Sequence, residues 1–530
     1  MVSMERAGEK TGMAAFWRRE APLVDLVRGR SESRTMPIVP SVDTASPRFV
    51  TGSLFRHVFV MAGTAAIGLV AVFAVDLINL FYISQLGEKE IAAAIGFAGV
   101  VGFFHISLAI GLTIGITAVV SRAVGAGRPD DARRIATASL LLMVLLTALI
   151  GSGSAFFLHP MLRALGASGE TERLAARYLG VTVHSLPLLG IGMACSALLR
   201  SVGDARRSMT VTLGAAAVTA VLDPILIFGL GMGLDGAATT AVVSRCVMAA
   251  VALRNVMTAH HLLGRFEPER LSADARLLAS VAGPALLTNL ATPIGAAFVT
   301  HSIAQFGASS VAGQATIDRL TPVAFGLVYA LSGAVGSILA QNLGARHYGR
   351  VREGLRESLL FMVIAVGIAW LLLALGQGLI VRAFSAEGQA AELIHAFCSW
   401  LAASFFFVGA LFVANAAFNN LGHPLLSTAF NWARATMGTI PFAWWGSKYG
   451  PVEVLAGQAA GSAIFGTLAI VMAFRLTARL GCEPSTEAAN VPAASNMQAG
   501  AEAAAQPGSV PVPPGASAGA MAPLVGTTKD

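Results

Sequence analysis

Between residues 55 and 480 the chain alternates long apolar stretches with short polar loops. Twelve stretches are long enough to cross about 30 Å of hydrocarbon as helices. They run approximately over 58–84, 92–118, 135–157, 176–199, 208–230 and 236–258, then 278–305, 310–341, 358–384, 392–419, 425–446 and 452–476. Those at 310–341 and 392–419 exceed the required length and are expected to tilt, kink or overrun the bilayer. The pattern predicts an all-α integral membrane protein of twelve transmembrane helices.

The polar loops set an orientation. Arg122, Arg128, Arg133 and Arg134 follow span two, and Arg200, Arg206 and Arg207 follow span four. Arg254, Arg265, Arg270 and Arg276 follow span six; Arg346, Arg350, Arg352 and Arg356 follow span eight. The loops at 231–235 and 306–309 carry no Lys or Arg. The loop after span three departs from the trend with Arg163, Arg173 and Arg177, partly offset by Glu170 and Glu172. Positive loops stay in the cytoplasm, so the even loops and both termini are expected there.

Composition agrees: 55% of residues are hydrophobic and 12% charged, about half the charged share of soluble domains. The net charge of +7 lies in those loops, so it reports topology, and no nucleic-acid partner is expected. Residues 1–54 read as a disordered cytoplasmic extension and 481–530, rich in Ala, Pro, Gly and Ser, as a disordered tail. Between them lie a first lobe (55–260), an inter-lobe linker (261–277) and a second lobe (278–480). Cys195, Cys246, Cys398 and Cys482 have no metal or redox spacing.

The chain repeats itself. SRAVGAGRPDDARR (121–134) matches AQNLGARHYGRVRE (340–353), aligning Gly125 with Gly344 at an offset of 344 − 125 = 219. ALLRSVGDARRS (197–208) matches AAFNNLGHPLLS (416–427), aligning Gly203 with Gly422 at the same offset, and QLGEKEIAAA (85–94) matches QFGASSVAGQ (305–314) at 220. Six spans return the chain to its starting side, so the halves share one orientation. That predicts two pseudo-symmetric six-helix lobes about an axis along the membrane normal, the geometry of alternating access.

Charges at bilayer depth are costly and mark candidate sites. Asp76 in span one, Asp223 in span five and Arg245 in span six fall about 10–14 Å below the outer boundary at 1.5 Å rise per residue. The carboxylates could take up and release a proton or help hold a small cation; Arg245 is a candidate charge partner. Pro224 follows Asp223 and should bend its helix. In the second lobe Asp318 and Arg319 are adjacent, hence about 100° apart around the helix. Asn289, Gln314, Asn415, Asn419 and Asn431 could line a cavity or join helices. Arg434, His105 and His301 read as packing residues. Phe405, Phe406 and Phe407 would suit an apolar ligand or lipid.

Between residues 55 and 480 no Walker-type GxxxxGK[ST], HExxH, GxSxG or Cys/His cluster occurs, so no enzymatic activity, cofactor or metal centre is expected. Coupling must come from an ion gradient or from the substrate.

At this point the residues resemble the multidrug and toxic compound extrusion (MATE) transporters over nearly all of 55–480. The carrying segments are VDLINLFYISQLGEKEIAAA (75–94), VVSRAVGAGRPDDARR (119–134), LLRSVGDARRSM (198–209), VLDPILIFGLGMGLDGAATTAVVS (221–244) and AQNLGARHYGRVRE (340–353). The resemblance implies efflux of drugs or amphipathic, often cationic, metabolites driven by inward H⁺ or Na⁺, by a monomer. It looks like the DinF-like bacterial branch, which implies a bacterial inner membrane and in which Asp76 and Asp223 fall on the positions of two functional aspartates. The chain departs by having Thr219 where the family often has Asn, and Ala241 beside Thr240 where it often has Thr. A Na⁺ site at Asp76 and Asp223 would lack those oxygens, which favours H⁺. Span one has no proline. A lipid-linked saccharide flippase of the same superfamily and a non-transporting membrane receptor stay open as alternatives.

Overall fold

Each of the twelve apolar stretches is helical in the computed structural model, which describes residues 47–84 and 89–480. Among the described residues, eleven helical segments are long and apolar enough to cross a membrane. The twelfth crossing is assembled from Pro424–Ala433, a π turn Arg434–Thr439 and Ile440–Gly446. Several spans begin with proline in the first turn, at Pro129, Pro268, Pro424 and Pro451. There its fixed φ is pre-set for a helix and its missing N–H would have had no partner.

Four further spans are interrupted among the described residues. Span four runs Gly169–Thr182, a 3₁₀ turn Val183–Ser185, then Leu186–Ser201. Span ten runs Gln389–Ser399, a 3₁₀ turn Leu401–Ser404, then Phe405–Asn420. Span five ends Ala205–Pro224 in a π turn, Ile225–Gly229. Span eight, read from sequence as one long helix, is two: Ala308–Ala324 and Gly326–Gly344. Pro322 lies inside the first of these and has no N–H to give the Asp318 carbonyl four residues back, which loosens the helix just ahead of the break. Phe325 at that break stacks on Phe405 of span ten, with centroids 3.9 Å apart and rings 3° from parallel.

The repeat persists in backbone detail. Left-handed residues recur in pairs: Gly127 and Arg346 (346 − 127 = 219), Gly166 and Ser385, Gly169 and Gly388, Gly203 and Gly422. Two of them, Arg346 and Ser385, are not glycine, so the second lobe holds the turn geometry even where the glycine is gone. The 3₁₀ turns of spans four and ten also coincide in the repeat.

The lobes meet at the arginine-rich end. A Cβ on Gly125 would land on the Gln341 carbonyl, and one on Gly344 on the Arg122 carbonyl. Both glycines are therefore required for spans two and eight to cross backbone against backbone. Hydrogen bonds repeat the reciprocity. Arg122 Nη2 donates across the lobes to the Asn420 carbonyl at 3.0 Å, and Gln341 Nε2 donates to the Ser201 carbonyl at 2.6 Å. Arg122 and Gln341 are repeat equivalents, and so are Ser201 and Asn420 (420 − 201 = 219).

Residues 47–53 correct one expectation, for they are not part of a disordered extension. Phe49 is 2% exposed. Its N–H donates to Gln341 Oε1 at 3.0 Å, and its carbonyl accepts from Asn342 Nδ2 and Arg350 Nη2, each at 3.1 Å. The following half of span one packs on the second lobe: Phe55 and Phe59 both meet Phe361 edge-on. The inter-lobe linker is also shorter than 261–277, since span seven already starts at Pro268. Gly264 is held to Thr137 by hydrogen bonds in both directions, and Asp274 accepts from Arg134 at 2.5 Å. Residues 1–46, 85–88 and 481–530, with Cys482 and most of both tails, lie outside the described residues.

Candidate cation and substrate site

In the first lobe, spans one, four, five and six bring their polar residues together. Asp76 is exposed to accessible space, and Asn79 follows it three residues on, the spacing of one helix face. Asp223 of span five is 1% exposed, and Thr240 of span six is completely buried. Asp76 and the Thr240 hydroxyl lie close enough to act on the Asp223 carboxyl. Tyr178 of span four lies within the field of Arg245, Asp223 and Asp76 together. Asp223 Oδ1, Thr240 Oγ1 and Asn79 Oδ1 are all buried without a hydrogen-bond partner. Buried polar atoms are otherwise nearly always paired, so these three oxygens in one lobe, one of them on a carboxylate, have the chemistry to take a proton or a small cation.

The local backbone exposes this site. Pro224 follows Asp223 and cannot donate to the carbonyl four residues back, and the wide π turn Ile225–Gly229 takes over. Such turns are rare and concentrate at functional sites. Gly236 makes room for it, since a Cβ there would meet the Leu226 carbonyl at 2.9 Å. Tyr82 near the end of span one stands edge-on to Phe228 of the turn, 5.7 Å between centroids.

Other expected residues have different employment. Arg245 forms no ion pair with Asp76 or Asp223. It donates to the Thr182 carbonyl and to Ser185 Oγ, both at 2.7 Å, and so bridges the 3₁₀ interruption of span four. Thr219 sits one turn before Asp223 but donates to the Ala215 carbonyl and to Ser244 Oγ, each at 3.1 Å, which ties spans five and six. His105 is buried against Ser154 Oγ at 2.8 Å; His301 is exposed on span seven.

In the second lobe, Asp318 and Arg319 are both exposed and form no ion pair with each other. Asp318 instead accepts from Gln314 Nε2 at 2.8 Å, leaving Gln314 Oε1 buried and unpartnered. Tyr329 lies within the field of both Arg434 and Asp318. Asn289 bonds back to the Ala285 carbonyl of its own helix, and Asn431 donates to Asn415 Oδ1 at 2.9 Å. Asn419 keeps an unpartnered Oδ1. Asn415 and Asn431 are thus helix glue, whereas Asn419 and Gln314 retain free acceptors.

The MatE family profile matches residues 65–225 and again 284–445, two copies whose starts differ by 284 − 65 = 219. The chain belongs to the MATE transporter family. It is accordingly a multi-pass membrane transporter and not an enzyme. Among curated relatives, a FAD transporter of Shewanella oneidensis is 30% identical over 424 residues, covering 79% of this chain and 93% of that one. A probable multidrug resistance protein, NorM, of Thermotoga maritima is 28% identical over 299 residues, covering 54% and 62%. Among solved structures, the MATE transporter VcmN of Vibrio cholerae in its bent form superposes with a TM-score of 0.75 at 23% identity, covering 80% and 97%. An outward-facing multidrug resistance MATE transporter gives 0.79 at 21%, covering 83% and 99%. Both structures share the two-lobed MATE fold with this chain.

Within that MATE fold, Asn79 is the site residue that sequence reading passed over. Its signal was present: a polar residue three positions after Asp76 inside an apolar span. The reciprocal contacts at Arg122 and Gln341 were also missed, because each partner lies in the other lobe.

Proposed function

We propose that this MATE transporter is an H⁺-coupled antiporter that exports amphipathic organic compounds from the bacterial cytoplasm by alternating access. The observation that carries the reading is the buried Asp223 with its orphan neighbours at Thr240 and Asn79, beside the accessible Asp76. A carboxylate this buried with no cationic partner is unfavourable when ionised. A proton removes that cost directly, whereas Na⁺ would have to gather several of these oxygens around itself at once, without Thr219, which is engaged elsewhere. Protonation changes which contacts among spans one, four, five and six are favourable, and so biases the first lobe between two arrangements.

The arginine-rich end is read as cytoplasmic, with both termini on that side of the inner membrane, and the protein as a monomer. Tight crossing of spans two and eight at that end then makes the present state outward-open, with Asp76, Asp318 and Arg319 accessible. The curated relatives named for FAD and for multidrug resistance support organic export as the activity. The test is export of an amphipathic dye from proteoliposomes under an imposed pH gradient or an imposed Na⁺ gradient. Export under the pH gradient, abolished by Asp76→Asn and Asp223→Asn, is expected. Export under the Na⁺ gradient alone would overturn the choice of ion, and no export under either would overturn the antiporter reading.

A further inference from the structure

We infer that Arg434, with Tyr329 beside it, is a subsite in the second lobe that takes an anionic group of the transported compound, a phosphate or a carboxylate. The inference rests on the export reading and names the substrate chemistry.

Arg434 lies inside span eleven and begins a six-residue π turn, Arg434–Thr439. A guanidinium carries five N–H donors. Among the described residues, the Arg434 side chain makes no hydrogen bond and no ion pair, and its Nε is buried without a partner. The contrast within the molecule is direct. Arg245, inside span six of the other lobe, is spent on the Thr182 carbonyl and Ser185 Oγ. Arg122 and Arg350 are likewise spent on backbone carbonyls. An arginine kept for packing finds acceptors, and Arg434 has none. Its electrostatic neighbour is the Tyr329 phenol, which also faces Asp318. Asp318 is held by Gln314.

The repeat sharpens the reading. Spans five and eleven are equivalent helices and both contain a π turn, though at different levels, since Arg434 corresponds to Ala215 (434 − 219 = 215), eight residues before Asp223. In span five the charge beside the turn is the carboxylate Asp223; in span eleven it is the guanidinium Arg434. The lobes therefore differ in polarity. With Arg245 engaged, the first contributes two acidic groups, Asp76 and Asp223. The second contributes Arg434 and the exposed Arg319 against one acid, Asp318. A purely cationic compound would find no acceptor at Arg434, whereas an aromatic compound bearing a phosphate or carboxylate would supply one. A planar guanidinium suits such oxyanions in a two-pronged contact.

The experiment uses the full chain in nanodiscs and three flavins with one ring system: riboflavin, without phosphate; FMN, with one; and FAD, with two. Binding is followed by flavin fluorescence. Wild type should bind FMN and FAD at least tenfold more tightly than riboflavin, and Arg434→Gln should erase that difference while riboflavin binding is kept. Arg434→Lys, retaining charge but not the planar fork, should fall between. Retained riboflavin binding also certifies that the variant is folded. Equal binding of the three flavins by wild type, or none, overturns the subsite, as does an unchanged preference in Arg434→Gln. The export reading fails separately: a flavin preference that depends on Arg434, without gradient-driven export, would leave the subsite standing and remove the antiporter.

Discussion

Replacing Gln341 with alanine should open the arginine-rich end. Gln341 Nε2 donates to the Ser201 carbonyl at 2.6 Å, and its Oε1 accepts from the Phe49 N–H at 3.0 Å. Gln341 is fully buried and Phe49 nearly so. Truncation leaves one backbone donor and one acceptor unpaired, at about 1–3 kcal/mol each while they stay buried. Water reaches this end of the molecule once it loosens, so the lower part of that range applies, about 2–3 kcal/mol in total. Because 1.4 kcal/mol is a factor of ten, the ratio of closed to open at this end should fall roughly 30- to 150-fold. Arg128 and His347 are exposed repeat equivalents in the loops after spans two and eight (347 − 128 = 219). Spin labels there, in a variant lacking the native cysteines, read the separation of the lobes by double electron–electron resonance. Gln341→Ala should shift population from the short distance to a longer one, and Arg122→Gln should act in the same direction by removing the equivalent donor to the Asn420 carbonyl. An unchanged distance distribution in a folded Gln341→Ala protein would refute the claim that these contacts hold the lobes together.

Three further outcomes follow from the same contacts. Gly344→Val places a side chain on the Arg122 carbonyl; overpacking of this kind costs about 1–3 kcal/mol, so thermal unfolding in detergent should occur at lower temperature, while a Gly127→Ala control meets no neighbouring atom and pays only for its left-handed φ. Thr240→Val keeps shape but removes a hydroxyl that is free to bond the Asp223 carboxyl when the lobe rearranges, and the initial rate of pH-driven export should fall roughly tenfold, the size of one hydrogen bond to a charged group, with protein yield unchanged. At the start of span five, burial alone would push the Asp204 carboxyl up, but hydrogen bonds from His260 and from the backbone and side chain of Arg207 outweigh it and hold the carboxyl well below its ordinary value of 3.8. A carboxyl depressed on folding stabilises fully above its unfolded value and loses that contribution as pH falls toward the folded one; Asp204→Asn should therefore lower the unfolding temperature at neutral pH and flatten its decline below about pH 4, as read by scanning fluorimetry.

The lobes, their repeat and the depth of Asp76 and Asp223 were legible in the sequence because each leaves a local mark. Apolar runs, arginine-bearing loops and the paired Gly125 and Gly344 need no knowledge of what they touch. What the sequence withheld is non-local. The Gln341 to Ser201 contact spans 140 residues and the Arg122 to Asn420 contact 298, and nothing near Gln341 in the chain names its partner. Arg434 read as a packing residue because an intramembrane arginine usually has acceptors, and only the structure reveals that this one has none. The π turn of span five was foreshadowed by Pro224, whereas Pro441, which follows the π turn of span eleven and has no N–H to give the Met437 carbonyl, was not singled out in the sequence. Residues 47–53 read as tail because they are polar and precede the first span; their backbone groups are what bind.

The central claim is that a proton and the exported compound compete through the Asp76 and Asp223 cluster. The most direct test is proton release on ligand binding, followed with a pH indicator in weakly buffered detergent solution. Wild type should release protons when an exported compound is added, in a bell-shaped dependence on pH, and Asp223→Asn should release none while still binding the compound. Binding without proton release in wild type, or unchanged release from Asp223→Asn, would contradict the account.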